Sequence, residues 1–73
     1  MVIYNSLRFF RKLYGYTQQD LADLVGVSKN TIYSIERGSF YPNLHTTMNL
    51  LRVLHCDFDD LFYTYNGGKN YED

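Results

Sequence analysis

A single cysteine, a single proline and no tryptophan occur in the 73 residues. Long apolar runs are missing too. One cysteine excludes an internal disulfide, which sets the chain apart from small secreted folds stapled by such bridges, and a reducing cytoplasm is its expected home. No stretch approaches the roughly 18 apolar residues of a membrane-spanning helix, and no charged-then-apolar leader with a small-residue cleavage site is present. No membrane partner is expected. Metal-ligand spacing is also absent. His45 and His55 lie far apart with no second cysteine beside Cys56, and no carboxylate is spaced to complete a tetrahedral set. Cys56 reads as a small buried hydrophobe. Without a phosphate-cradling glycine loop or a nucleophile motif, the chain is expected to be no enzyme and to hold no cofactor and no metal.

Positive charge is scarce as well, with a net charge of −1. Its distribution matters more than its total. Residues 1–55 carry Arg8, Arg11, Lys12, Lys29, Arg37 and Arg52 against Asp20, Asp23 and Glu36, an excess of +3. Residues 56–73 carry Lys69 against Asp57, Asp59, Asp60, Glu72 and Asp73, a balance of −4. A mildly basic face opposite an acidic end is the implied arrangement. So small an excess gives weak affinity for a polyanion, and a dimer would double it. The chain has abundant aromatics, eight Tyr and five Phe. Their large buried areas are one way for so short a chain, one domain at most, to build a core.

The most organised stretch is 17–38. Thr17 is placed to cap a helix, with Asp20 three residues on as its box partner. Gly26 stops that helix, because a residue without Cβ takes the left-handed conformation freely. Ser28 caps a second helix and Gly38 ends it. Leu21, Leu24, Val25, Ile32 and Ile35 are expected on the inner faces, and Ala22 is small enough for a close crossing. Two short helices joined by a tight turn in this way are the sequence form of a helix-turn-helix, whose second helix suits a DNA major groove.

Elsewhere, Asn5 or Ser6 can cap a first helix running to about Tyr14, with Leu7, Phe10 and Leu13 as its inner stripe and Gly15 as its end. Tyr16 is set to staple onto Leu21. After the loop around Pro42, Asn43 caps a helix from Leu44 to Leu54 with Leu44, Thr47, Met48, Leu51 and Leu54 inward. His55 falls where a left-handed residue is needed. Asp57 caps a short fifth helix, Asp60 being its box partner and Phe58, Leu61 and Phe62 its apolar face. Beyond it the chain alternates and holds an Asn66-Gly67 turn signal. Either Tyr63–Tyr65 pairs with Val2–Tyr4 as an antiparallel ribbon, or the end frays. Residues 1–66 are thus expected as one domain and 67–73 as a mobile tail.

From about Asn5 to Phe62 the chain resembles the XRE/Cro–repressor family of helix-turn-helix proteins. Five motifs carry the resemblance: Thr17–Ala22, Val25–Ser28, Thr31–Gly38, Tyr41–Leu44 and Phe58–Phe62. It implies an all-α, compact five-helix, lambda-repressor-like DNA-binding domain. Val2-Ile3 and the aromatic strand-like end further resemble the cytolysin-repressor subgroup, which adds a small antiparallel β-ribbon formed by the termini. His55-Cys56 and Ser39-Phe40 depart from the family pattern, and the second departure removes possible phosphate contacts.

On the Ser28-capped helix, the first turn and the turn after it present Lys29, Asn30, Tyr33 and Ser34 as base-reading candidates. Lys29 suits guanine O6/N7 and Asn30 suits adenine. Gln18, at the first turn of the preceding helix, is placed to grip a phosphate. Ser28, Thr31 and Arg37 flank the reading face as further phosphate contacts, and the resemblance adds Tyr41 and Asn43. It also pairs Arg11 with Glu36 as a structural ion pair between the first helix and the recognition helix. The plain alternative is a solvated helix face and two surface charges that never meet. The expected function is a sequence-specific double-stranded DNA-binding transcription regulator, a repressor acting as a homodimer on a pseudo-palindromic operator. The alternative is an antitoxin or antirepressor-like module on the same fold, with a regulatory protein as its partner.

Overall fold

Four of the five helices start at a side chain that can accept an orphan backbone N–H. In the computed structural model, which describes residues 2–64, strand β1 (Ile3–Asn5) leads into helices α1 (Leu7–Leu13), α2 (Gln18–Val25), α3 (Lys29–Glu36), α4 (Leu44–Leu54) and α5 (Phe58–Leu61), and strand β2 (Phe62–Thr64) follows. Tyr65 and the expected tail 67–73 lie outside the described residues.

At α2 the Asp20 N–H donates to Thr17 Oγ1 at 3.0 Å and the Thr17 N–H donates to Asp20 Oδ2 at 2.9 Å, a reciprocal capping box. The Thr17 N–H, and after it the Thr17 hydroxyl, hold the Asp20 carboxyl below the usual aspartate range. Ser28 Oγ accepts the Thr31 N–H at 3.1 Å, and Asn43 Oδ1 accepts the Thr46 N–H at 2.8 Å. At α5 the Asp60 carboxylate accepts the Asp57 N–H at 3.0 Å. The first helix differs. Ser6 occupies its cap position without a side-chain bond, and Asn5 Oδ1 accepts the Leu7 N–H instead at 3.0 Å.

Gly26 ends α2 with φ +85°, a left-handed turn that brings Ser28 directly to the start of α3. His55 takes the same role after α4 at φ +52°, at a cost on the order of 1 kcal/mol for a residue with a Cβ. Two bonds close the turn, since the N–H groups of His55 and Cys56 both donate to Leu51 O. The His55 ring also meets Tyr14 edge-on, with centroids 5.8 Å apart.

The termini pair in the expected register, and the ladder reaches one residue further inward, to Asn5 and Phe62. Ile3 faces Thr64, Tyr4 faces Tyr63 and Asn5 faces Phe62 in an antiparallel ladder. Asn5 sets this register. Its Nδ2 donates to Ile35 O at 2.9 Å while its Oδ1 is held by Leu7, and the Ser6 N–H donates to Leu61 O at 2.9 Å. A slip would break all three and turn Phe62 out of the core.

The core draws on every helix. Leu7, Leu21, Ala22, Ile32, Ile35, Leu50, Leu54 and Leu61 are fully buried, with Val25 and Phe62 nearly so. Ala22 at this density lets α2 and α3 pack more extensively than any other helix pair. Five residues expected inward point out: Leu13, Leu24, Leu44, Met48 and Phe58 are all more than half exposed. Residues six apart on a helix are turned by about 240°, so the stripe from Leu7 cannot include Leu13. On α2 the buried set Leu21, Ala22 and Val25 leaves Leu24 at the flank of the inner face, more than half exposed. The inner face of α4 is Thr47, Leu50 and Leu54, which rotates Leu44 and Met48 outward. Leu50 was not anticipated as a core residue. α5 is a single turn and buries only Leu61 of its four residues.

Thr17→Ala is expected to lower stability to denaturant by about 1 kcal/mol at neutral pH, read as an earlier urea midpoint. Because the folded carboxyl of Asp20 titrates below its unfolded value, its contribution is complete above the ordinary carboxylate range and is lost as pH falls through the folded value. Asp20→Asn therefore flattens the acid limb of the stability curve, which urea titrations between about pH 6 and pH 2 would measure.

Candidate nucleic-acid interface

The recognition segment α3 rests on a buried ion pair. Arg11 Nε donates to Glu36 Oε2 at 2.5 Å and its second terminal nitrogen donates to Glu36 Oε1 at 3.2 Å. Both side chains are more than 90% buried. The remaining Arg11 nitrogen donates to Tyr16 O at 2.9 Å, and Gln18 Nε2 donates to Glu36 Oε1 at 3.1 Å. One network thus ties α1, the turn before α2, the first turn of α2 and the last turn of α3. The pair that the family resemblance implies is present, and it is not a surface pair.

With α3 held by its end, its start stands free. Lys29 and Asn30 are exposed at the first turn, and neither side chain hydrogen-bonds to another residue among those described. The Ser28 cap spends its hydroxyl on the helix rather than on them. Tyr33 is exposed, and its hydroxyl accepts from Arg37 Nη1 at 2.8 Å while the guanidinium carbon lies 5.4 Å from the ring centroid. The two side chains are joined by a combined hydrogen bond and cation–π contact. Ser34 is half-buried, and its backbone carbonyl closes the turn by accepting from the Ser39 N–H and hydroxyl.

The backbone-contact candidates are distributed less evenly. Ser28 and Thr31 share a hydroxyl–hydroxyl bond of 2.9 Å at the start of α3. Gln18 lies beside this face with its amide donating to Glu36. Asn43 uses its oxygen as a helix cap. Tyr41 is exposed and lines a small apolar hollow of about 110 Å³ with Ile3, Pro42, Thr47, Phe58 and Phe62. Lys12 and Gln19 had been given no role, yet they share a cleft with Gln18 and Lys29 at the α1–α2 turn. Their only sequence signal was position, four residues after Arg8 and next to Gln18.

Charge follows the same division. Asp20 is committed to its capping box and Asp23 accepts from Gln19 at 2.8 Å, so the carboxylates of α2 are locally engaged. Asp57, Asp59 and Asp60 lie exposed at α5. Cys56 is half-buried there, and burial, with Asp60 and Asp57 adding, pushes its thiol up. That favours the unreactive protonated form. Among the described residues, no group of three or more His, Cys, Asp or Glu side chains converges on a point.

A family profile described as Helix-turn-helix matches residues 7–61, which span α1 through α5. The chain belongs to the XRE-type helix-turn-helix family. It is 41% identical over 56 residues to an uncharacterized HTH-type transcriptional regulator of Archaeoglobus fulgidus, covering 77% of this chain and 80% of that one. A second such regulator, from Methanocaldococcus jannaschii, is 36% identical over 58 residues, covering 80% and 88%. Among solved structures, the restriction-modification controller protein C.AhdI of Aeromonas hydrophila superposes with a TM-score of 0.65 at 29% identity, covering 70% of this chain and 77% of that one. DNA-binding transcription regulation is therefore the function of this XRE-type chain.

Glu36→Ala strands the Arg11 charge in the interior and is expected to cost about 3–5 kcal/mol, enough to unfold much of so small a domain. Arg11→Met combined with Glu36→Leu leaves no buried charge and is expected to recover most of that loss. Thermal melts of the three proteins check it.

Proposed function

We propose that this regulator reads specific sequences in the major groove of double-stranded DNA through α3, as a homodimer on a pseudo-palindromic operator, and that it represses. What supports the reading is the exposure of Lys29 and Asn30 on the first turn of a helix whose cap and far end are both fixed. A lysine ammonium suits the two acceptors of guanine, and a primary amide suits the donor and acceptor of adenine. Tyr33 and Ser34, one turn on, extend the same face. Gln18, Ser28, Thr31, Arg37, Tyr41 and Asn43 set the register on the phosphates.

The dimer follows from geometry. One helix reads only a few base pairs, whereas two copies separated by a helical turn read a useful site. Leu44, Met48 and Phe58 supply an exposed apolar surface away from α3 for that contact. Phe62 is 7% exposed and belongs to the core rather than to that surface. Repression would act by steric exclusion, the bound dimer occupying the promoter. The cytoplasm is the compartment where it acts.

Selection from a random duplex pool is expected to enrich a two-fold symmetric site. Asn30→Ala and Lys29→Ala should each relax preference at one or two positions of every half-site and cost about 1–3 kcal/mol on the enriched duplex, with little change on scrambled DNA. A pool that stays random at low salt, or variants that keep both affinity and site choice, would contradict the reading.

A further inference from the structure

Beside the recognition face lies a cleft of about 300 Å³ lined by Arg8, Arg11, Gln18, Tyr33, Glu36 and Arg37. It joins α1, the start of α2 and the end of α3. Its floor is neutral, because Arg11 and Glu36 are buried and satisfy one another. The net charge of the cleft then comes from its rim, where Arg8 and Arg37 are both exposed. Among the described residues Arg8 forms no ion pair and no hydrogen bond through its side chain. Arg37 donates to the Tyr33 hydroxyl, which leaves that hydroxyl its own hydrogen to give. Gln18 uses one amide hydrogen on Glu36 and keeps the other. Both Glu36 oxygens are already engaged by Arg11 and Gln18, and no other carboxylate lines the cleft.

We propose that this cleft seats one backbone phosphate of the DNA duplex, and that Arg8 on α1 is a phosphate-binding residue opposite Arg37. The inference rests on the DNA-reading role of α3. A phosphodiester brings one negative charge and two unshared oxygens, and two guanidinium groups flanking hydroxyl and amide donors match that chemistry. A cation would meet two like charges, and an apolar group would have to strip them of water. Position supports the match, since Tyr33 stands three residues after Asn30 and the cleft adjoins the reading face. α1 then acts as part of the interface as well as a support for α3. A phosphate contact orients the protein without choosing sequence.

The test is duplex binding by fluorescence anisotropy over a salt series, using a pool-enriched duplex and a scrambled one. Arg8→Ala is expected to bind both about threefold more weakly and to lower the slope of log affinity against log salt by about 0.9, the loss of one phosphate contact. Arg8→Lys keeps the charge and is expected to keep the slope. Arg52→Ala, which removes the same charge from α4 outside the cleft, should leave the slope near that of the wild type. The proposal is overturned if Arg8→Ala retains the wild-type slope and affinity, or changes them no more than Arg52→Ala does. In either case the DNA-reading role of α3 survives. If the wild-type protein binds neither duplex at low salt, that role and this inference fall together.

Discussion

The Arg11–Glu36 pair is the constraint on which the rest of the structure depends. Its Coulomb attraction is largely offset by the cost of taking both charges out of water, so its contribution is placement more than stability. The bidentate geometry fixes the angle between α1 and the end of α3, and the bonds to Tyr16 O and Gln18 bring in the start of α2. A hydrophobic core alone would not do this. Leucine and isoleucine contacts are non-directional, and helices as short as these could rotate or slide by a fraction of a turn at little cost. A planar guanidinium with its partners at fixed angles does not permit such adjustment.

The remaining organisation follows from where backbone groups are satisfied. Thr17, Ser28 and Asn43 settle the helix starts by their own side chains, so none of these helices relies on a neighbour to begin. Asn5 links the ribbon to α3 through Ile35 O and thereby joins the chain ends to the same helix end that Arg11 holds. The result is a division of surfaces. Around α3, cations and neutral donors are exposed and most carboxylates are spoken for. Around α4 and α5, apolar side chains and aspartates are exposed. The comparisons with known regulators assign the fold and the broad function. The residues facing outward in this particular chain are the ones that make those surfaces different from one another.

Much of this was legible in the sequence because caps are local. Thr17, Ser28, Asn43, Asp57, Gly26 and His55 act on their own backbone neighbours, so the pattern carries its physics within four residues. The helix spans and the ribbon followed. Burial was harder, because it depends on which way each helix is rolled against the others. α4 carries leucine, methionine and valine on several sides, so periodicity alone does not choose between the Leu44–Met48 line and the Thr47–Leu50–Leu54 line. The anchoring of the ribbon to α3 depended on Asn5 reaching Ile35, a contact across thirty residues with no local trace. At the candidate site, Arg11 with Glu36 came from family resemblance, and the sharing of Glu36 by Gln18 could not be foreseen without coordinates. The same holds for the cleft shared by Arg8, on α1, and Arg37, just past the end of α3.

The most direct test of the central claim, that the anchored end of α3 presents its free first turn to base edges, is NMR of the isotope-labelled protein bound to its enriched duplex. The account predicts nuclear Overhauser contacts from the Asn30 side-chain amide to major-groove base protons, with the buried Arg11 Nε resonance unmoved from its free-state position. An Asn30 amide that stays at its free-state shift, while contacts to the duplex arise from α4 or α5, would contradict it.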